Sequence, residues 1–185
     1  MCIRDSAELI LGVESVSPEV IKAIRKGITP QLALDAYRTT KRAGIIPYIE
    51  LMFGFPWDSQ RSARESMAFF SKLKAPTIVG TSVLRPLVGT LVYAACRKHR
   101  LIPELQLDDY VHALERPLIT RTISLDRRAL LRQVRLLGAR TLTLNAQTRL
   151  SGRYQEIHGR ADGRERLDES VRYLKGFAYQ KMFGA

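Results

Sequence analysis

Gly12-Val13-Glu14-Ser15 and Phe53-Gly54-Phe55-Pro56 are the two segments that decide the fold predicted by this sequence. Each follows a short apolar run, at the point where a strand should give way to a helix. Two further segments, 25–29 and 88–90, lie at predicted helix boundaries. In a parallel α/β sheet the carboxyl ends of the strands open at one edge, where such folds bind their ligands. The order of these segments therefore predicts one shared binding face.

Along this part of the chain, apolar runs alternate with helix signals in the order β-α-α-β-α-β-α. Strands are predicted at 7–13, 45–53 and 77–84. The first two helices begin at Ser17-Pro18 and Thr29-Pro30, which are typical N-cap and first-turn pairs. Such alternation implies right-handed crossovers and a parallel sheet.

Three strands are too few for a closed barrel. The predicted fold is therefore α/β, with three parallel strands and helices on the outer side, and it resembles the rear half of a larger domain. We expect residues 104–185 to be a basic, mainly helical extension. The first predicted strand exposes an apolar edge, so we expect an N-terminally truncated domain whose first six residues match no element.

The extension carries most of the positive charge of the chain. The net charge is +12, and residues 116–185 hold 15 of the 30 Lys/Arg but only 6 of the 18 Asp/Glu. A helix is predicted from 124–126 onward, a loose segment at 152–163 and a final amphipathic helix at 167–183. The basic excess indicates either a solvated helix face or a surface that binds nucleic acid through its phosphates.

Cysteine content and hydropathy exclude several classes of protein. Cys2 and Cys96 are far apart and have neither disulfide nor metal-ligand spacing. Cys96 lies on an apolar helix face, which favours a core position. No apolar run is long enough to span a membrane, and Met1–Ser6 does not resemble an export signal. We expect a cytoplasmic protein.

Three charged residues are candidates for chemistry, each with a plain alternative. Glu14 ends an apolar strand, where a carboxylate either accepts hydrogen bonds from a ligand or caps a helix. Lys26 lies near the end of the first helix, which Gly27 is expected to close; it either neutralises a ligand carboxylate or interacts with the helix dipole. Glu50 shares a strand face with Met52 and either anchors a cavity or faces solvent. Gly54 allows close approach of the backbone to a ligand.

Taken in order, these motifs resemble the second half of a radical S-adenosylmethionine (SAM) core domain. The resemblance rests on Gly-Val-Glu-Ser, Pro-Glu-Val-Ile-Lys-x-Ile-Arg-Lys-Gly-Ile-Thr, Lys-Arg-Ala-Gly-Ile, Phe-Gly-Phe-Pro and Gly-Thr-Leu-Val-Tyr, and it covers about residues 7–103. The most similar branch often carries an N-terminal cobalamin-binding domain.

The resemblance implies a fold, a cofactor and a set of contacts. The implied fold is a partial (β/α) barrel fragment, of which residues 7–103 would be the C-terminal half. In that family a [4Fe-4S] cluster, held by three cysteines of a CxxxCxxC loop, cleaves SAM to a 5′-deoxyadenosyl radical. Glu14 and Glu50 would contact the ribose or amino group of SAM, with Ser15 beside them. Lys26 would face the SAM carboxylate, and Met52 to Gly54 would lie against the adenine. These side chains suit those roles.

The sequence departs from the family in one decisive respect. It has no CxxxCxxC motif, so the cluster ligands are absent from this chain. We therefore expect a fragment that contributes SAM-binding residues, is inactive alone, and acts with the missing N-terminal half of the same domain on a small-molecule substrate. Cobalamin would belong to the full-length protein. Two alternatives are an Arg-rich, RNA-modifying nucleic-acid-binding module and a non-catalytic α/β interaction protein.

Overall fold

A computed structural model describes residues 7–102 and 121–158 of the chain. Three strands and six helices are found in these ranges. In chain order they are β1 (Glu8–Glu14), α1 (Pro18–Ala23), α2 (Pro30–Arg42), β2 (Ile46–Phe53), α3 (Gln60–Phe70), β3 (Ile78–Val83), α4 (Leu91–Lys98), α5 (Arg127–Arg149) and α6 (Gly152–His158). None of the helices in these ranges is long and apolar enough to cross a membrane.

The three strands form one parallel sheet in the order β1-β2-β3. This confirms the predicted α/β class, and each predicted strand is reproduced to within one residue at either end. Sequence order equals spatial order, so each connection returns the chain to the same end of the sheet. The carboxyl ends of all three strands consequently lie along one edge.

Helices cover one face of the sheet and leave the other more open. Ile49, Leu51 and Phe53 of β2 are buried in the hydrophobic core, together with apolar side chains of α2, α3 and α5. The alternate residues Glu50 and Met52 are only half-buried. Because successive side chains of a strand point to opposite faces, the half-buried positions mark the face on which a binding site can be built.

The helix starts mostly follow the predicted chemistry. The Thr29 hydroxyl accepts a hydrogen bond from the Leu32 N–H (3.1 Å), and the Thr90 hydroxyl accepts one from the Tyr93 N–H (3.1 Å). Ser17 stands at the N-cap of α1, but its side chain makes no cap bond.

The prediction of a loose segment at 152–163 is wrong for its described part, because Gly152–His158 is helical. This helix is held by groups more than a hundred residues away in sequence. The Arg153 guanidinium donates to the Gly44 carbonyl (2.9 Å), and His158 Nε2 lies 2.9 Å from Glu8 Oε1. The helix predicted at 167–183 lies outside the described residues.

The outer edge of β3 is closed by side chains of α5. Asn145 accepts a hydrogen bond from the Val79 N–H and donates one to the Val79 carbonyl, both at 2.8 Å. Thr148 does the same for Thr77, at 2.8 and 2.6 Å. These two side chains thus replace part of a neighbouring strand, which protects an edge that would otherwise pair with another chain.

The outer edge of β1 differs from that of β3. No described residue hydrogen-bonds to its outward backbone groups, and Leu9 and Ile10 are 40% and 64% exposed. Parallel sheets are usually covered on both faces and rarely expose such side chains. Further strands can therefore join this sheet at β1 but not along the capped part of β3.

The capping of β3 leads to a stability prediction. We expect Asn145→Ala to lower the free energy of unfolding by about 1–3 kcal/mol, because both backbone groups of Val79 lose their partners in a buried position. Denaturant unfolding of the purified chain measures the change. Gln147→Ala, on the exposed side of α5, is the matched control and should alter stability by less than about 0.5 kcal/mol. Equal effects of the two substitutions would contradict the capping role.

Candidate functional site

The three strand ends place several predicted site residues along one edge of the sheet. Glu14 is the last residue of β1, and Gly54 follows the last residue of β2. In the strand register Gly12 lies opposite Glu50, and Glu50 lies opposite Gly80. Glu14, Glu50 and Gly54 are thus brought to the same end of the sheet, as the sequence predicted.

The glycines on either side of Glu50 give it room. A Cβ atom on Gly80 would lie 2.7 Å from Glu50 Oε1 and 2.8 Å from Oε2, so the carboxylate rests directly on the Gly80 backbone. Among the described residues, the Glu50 carboxylate has neither a hydrogen-bond donor nor a cation as partner. A half-buried carboxylate without a partner is available to accept hydrogen bonds from a ligand. A glycine inside a strand often marks such a close approach, and Gly80 carried that signal in the sequence.

Glu14 and Lys26 form an ion pair beside Gly12, the glycine that lies opposite Glu50 on β1. Lys26 Nζ lies 3.3 Å from Glu14 Oε1, and the two side chains are 33% and 27% exposed. A Cβ atom on Gly12 would lie 3.3 Å from Glu14 Oε1 and 3.6 Å from Lys26 Nζ. A partly exposed pair of this kind contributes only about 0–1 kcal/mol to folding, so its arrangement is not explained by stability alone.

Backbone strain directs the Glu14 side chain. The β1–β2 register shifts between Gly12 and Glu14, so β1 bulges at its end. Glu14 has φ +62°, and the Ser15 N–H donates to the Val13 carbonyl across it (2.7 Å). A three-residue turn with positive φ at its centre is rare and strained, and bulges commonly redirect a side chain beside a functional site. The glutamate is thereby turned toward Lys26.

Lys26 is positioned by the way α1 ends. The Lys26 N–H donates to the Ile21 carbonyl and the Arg25 N–H to the Lys22 carbonyl, each at 3.2 Å, which is the Schellman pattern. Arg25 takes the left-handed position of this motif, with φ +55°. The expectation that Gly27 closes the helix is therefore wrong, because the helical hydrogen bonds already end before it. An arginine in a position that favours glycine adds strain next to the ion pair.

The remaining predicted residues lie beside the strand ends, with their polar groups already engaged where they have any. Ser15 is buried, and its hydroxyl accepts a hydrogen bond from the Ser17 N–H (3.2 Å). Gly54 has φ +88°, and its N–H donates to Asp58 (2.8 Å). Met52 is half-buried and packs against the core. Ser15 and Gly54 consequently shape the turns of the site.

Asp58 is the residue that sequence reasoning missed. One carboxylate oxygen accepts from the N–H groups of Gly54 (2.8 Å) and Phe55 (3.0 Å), and the other accepts from the Ser62 hydroxyl (3.1 Å). Asp58 is 3% exposed, and burial raises its pKa from 3.8 to about 6 although these three hydrogen bonds lower it. Asp58-Ser59 directly before α3 was a helix-start signal, but its contact with the Gly54 turn depends on the fold.

Cysteine and acidic residues do not form a metal centre in the described ranges. Cys96 is fully buried, and burial raises the pKa of its thiol to about 11, which disfavours the thiolate that iron requires. Within residues 7–102 and 121–158 no three His, Cys, Asp or Glu side chains converge. These residues do not fit an iron–sulfur cluster.

A cavity of about 480 Å³ lies between α1 and α2. Its lining includes Ile21, Arg25 and Ile28 but none of the six predicted site residues. It is mostly apolar and holds no carboxylate. The strand-end face carries two carboxylates beside Lys26, which makes it the stronger candidate for a polar ligand.

Comparison with known proteins gives one partial match. No family model matches the chain. A protein of Pyrococcus horikoshii described as an uncharacterized methyltransferase is 37% identical over 62 residues. The matched segment covers 34% of this chain and 14% of that protein, so the chain spans a small part of the relative's length.

The buried carboxyl of Asp58 predicts a specific pH dependence of stability. Its pKa is raised in the folded chain, so between about pH 4 and pH 6 the folded state holds a proton that the unfolded state has lost. Its contribution is therefore fully present below pH 4 and is lost as the pH rises through about 6. Asp58→Asn removes this titration. We therefore expect the free energy of unfolding of Asp58→Asn, relative to that of wild type, to rise by about 2–3 kcal/mol as the pH rises from about 4 to about 6.

Denaturant unfolding at a series of pH values measures the difference between the two proteins. A difference that stays constant from pH 4 to pH 7 would show that Asp58 ionises as an ordinary carboxyl. Asp58→Ala serves as the contrast, since it removes the acceptors of Gly54 and Phe55. We expect that variant to be less stable than Asp58→Asn at every pH, by about 1–3 kcal/mol.

Proposed function

We propose that the strand-end face of this chain binds SAM and that the chain contributes this site to a radical SAM enzyme. The observation that carries the proposal is the convergence of Glu14, Lys26 and Glu50 over a row of glycines at the carboxyl edge of a parallel sheet. Ligands of open α/β sheets bind at this edge. The partial likeness to a protein named as a methyltransferase agrees with a SAM ligand.

The residues present fit the parts of SAM. Lys26 supplies a cation for the ligand carboxylate, and Glu14 and Glu50 supply acceptors for its ammonium group and ribose hydroxyls. Met52, half-buried on the same strand face as Glu50, offers an apolar surface to the adenine. Ser15 and Gly54 support the site through the turns that they form.

Without ligand, Glu14 and Lys26 pair with each other at the position proposed for the amino-acid end of SAM. Each of the two charges finds an opposite charge on a zwitterion, so binding replaces one internal ion pair with two intermolecular ones. The pair is weak because it is partly exposed, and opening it costs little. It also keeps both side chains near their binding positions, which lowers the ordering cost of association.

SAM supplies an activated carbon–sulfur bond when it is bound, and this chain's residues hold and orient it. Reductive cleavage of that bond in the radical SAM family needs a [4Fe-4S] cluster, and the residues described here do not fit one. We propose that the cluster ligands come from the N-terminal half of the same domain, joined at the open edge of β1. Cobalamin and the small-molecule substrate would also be bound outside the ranges described.

Substitution of Lys26 tests the proposal. Loss of a charge-assisted hydrogen bond costs roughly 1.5–3 kcal/mol, so we expect Lys26→Ala to weaken SAM binding by about tenfold or more. Titration of SAM into the purified chain, followed by calorimetry or NMR, measures the affinity. Lys22→Ala removes an exposed lysine of α1, the helix that ends just before Lys26, and should leave the affinity unchanged.

Stability separates a binding role from a structural one. We expect the unfolding midpoint of Lys26→Ala without ligand to match that of Lys22→Ala, because a partly exposed ion pair contributes little. If Lys26→Ala keeps full affinity for SAM but unfolds more easily, Lys26 stabilises the end of α1 and the assignment of the site is wrong.

A further inference from the structure

Helix α5 carries an unusual charge pattern that SAM binding does not explain. Its 23 residues include six arginines and no aspartate or glutamate. The helix is fixed to the sheet by Asn145 and Thr148, so its orientation relative to the strands is defined.

Three of these arginines form a stripe on the outer side of the helix. Arg128, Arg132 and Arg135 are all exposed, and at 3.6 residues per turn they fall within about 60° of one another. The buried residues of α5 lie on the opposite side: Leu130, Gln133, Val134, Leu137, Thr141, Leu144 and Thr148. The rise of the helix separates neighbouring arginines of the stripe by about 4.5–6 Å along its axis.

Folding alone does not favour this arrangement. Arg128 and Arg132 are like charges at i,i+4 on the exposed side of the helix, and such pairs repel one another. Arg128 also lies in the first turn of the helix, where the helix dipole disfavours cations. A pattern that opposes helix stability in two ways indicates that the charges serve a partner.

We propose that the outer face of α5, defined by Arg128, Arg132 and Arg135, binds the phosphate backbone of a nucleic acid. Arginine presents a planar set of donors that matches phosphate oxygens. A row of cations on a straight helix neutralises successive phosphates irrespective of base sequence. The excess of arginine in residues 116–185 adds positive charge to the same part of the chain.

An anionic membrane surface is the competing partner, and the helix does not suit it. A helix that lies in a membrane interface inserts a broad apolar face next to its basic residues. The apolar face of α5 is instead buried against the sheet and α3. Leu136, which is 52% exposed, is the large apolar side chain beside the stripe.

The salt dependence of nucleic-acid binding tests the proposal. The probe is a short fluorescein-labelled DNA duplex, whose affinity for the full chain is measured by anisotropy at several KCl concentrations. The triple variant Arg128→Gln, Arg132→Gln, Arg135→Gln should bind at least about tenfold more weakly and flatten the slope of log affinity against log salt by about 2–3. Arg132→Gln alone should flatten it by about 1.

A matched control distinguishes binding by the outer face of α5 from attraction by the overall positive charge of the chain. Lys22→Gln, Arg38→Gln, Arg42→Gln removes three exposed cations from α1 and α2 and should keep the wild-type slope. Equal losses in the two triple variants would overturn the proposal, as would absence of binding to the duplex. Binding to phosphatidylserine vesicles but not to the duplex would assign the stripe to a membrane and overturn it too. None of these outcomes depends on SAM.

Discussion

The placement of the Glu50 carboxylate on the Gly80 backbone is the constraint on which the site depends. Any side chain at position 80 would occupy the volume of the carboxylate, since even a Cβ atom would approach it to 2.7 Å. Parallel register puts a second glycine, Gly12, on the other side of Glu50. The strand face is therefore open where the opposite face is packed, and the charged groups that gather there remain accessible to a ligand.

Two of the three non-glycine residues with positive φ in the described ranges direct these charges; the third is Arg100. Glu14 and Arg25 both adopt left-handed backbone conformations that favour glycine, at a cost of about 1–2 kcal/mol each. One of them aims the carboxylate and the other precedes the lysine of the same ion pair. The buried core of β2 and the helices offsets that cost. Strained residues that persist beside a group of opposite charges are typical of binding sites.

Local sequence patterns were sufficient for the strands, for most helix starts and for the edge at which the site residues meet. Apolar runs and N-cap residues act over a few positions, so they can be identified without the fold. The capping of β3 joins residues 66 to 71 positions apart, and α6 is held by Gly44 and Glu8 from still farther away. Asp58 escaped prediction for a related reason, because its burial exists only once the strand-end turn and α3 have packed.

The most direct measurement is an amide NMR titration of the full chain with SAM. We expect chemical-shift changes to concentrate on the carboxyl edge of the sheet, at Gly12, Glu14, Lys26, Glu50 and Gly80. The amino ends of the strands should stay unperturbed. Shifts confined to the cavity between α1 and α2, or no shifts at any concentration of SAM, would contradict the claim that the strand-end face is the binding site.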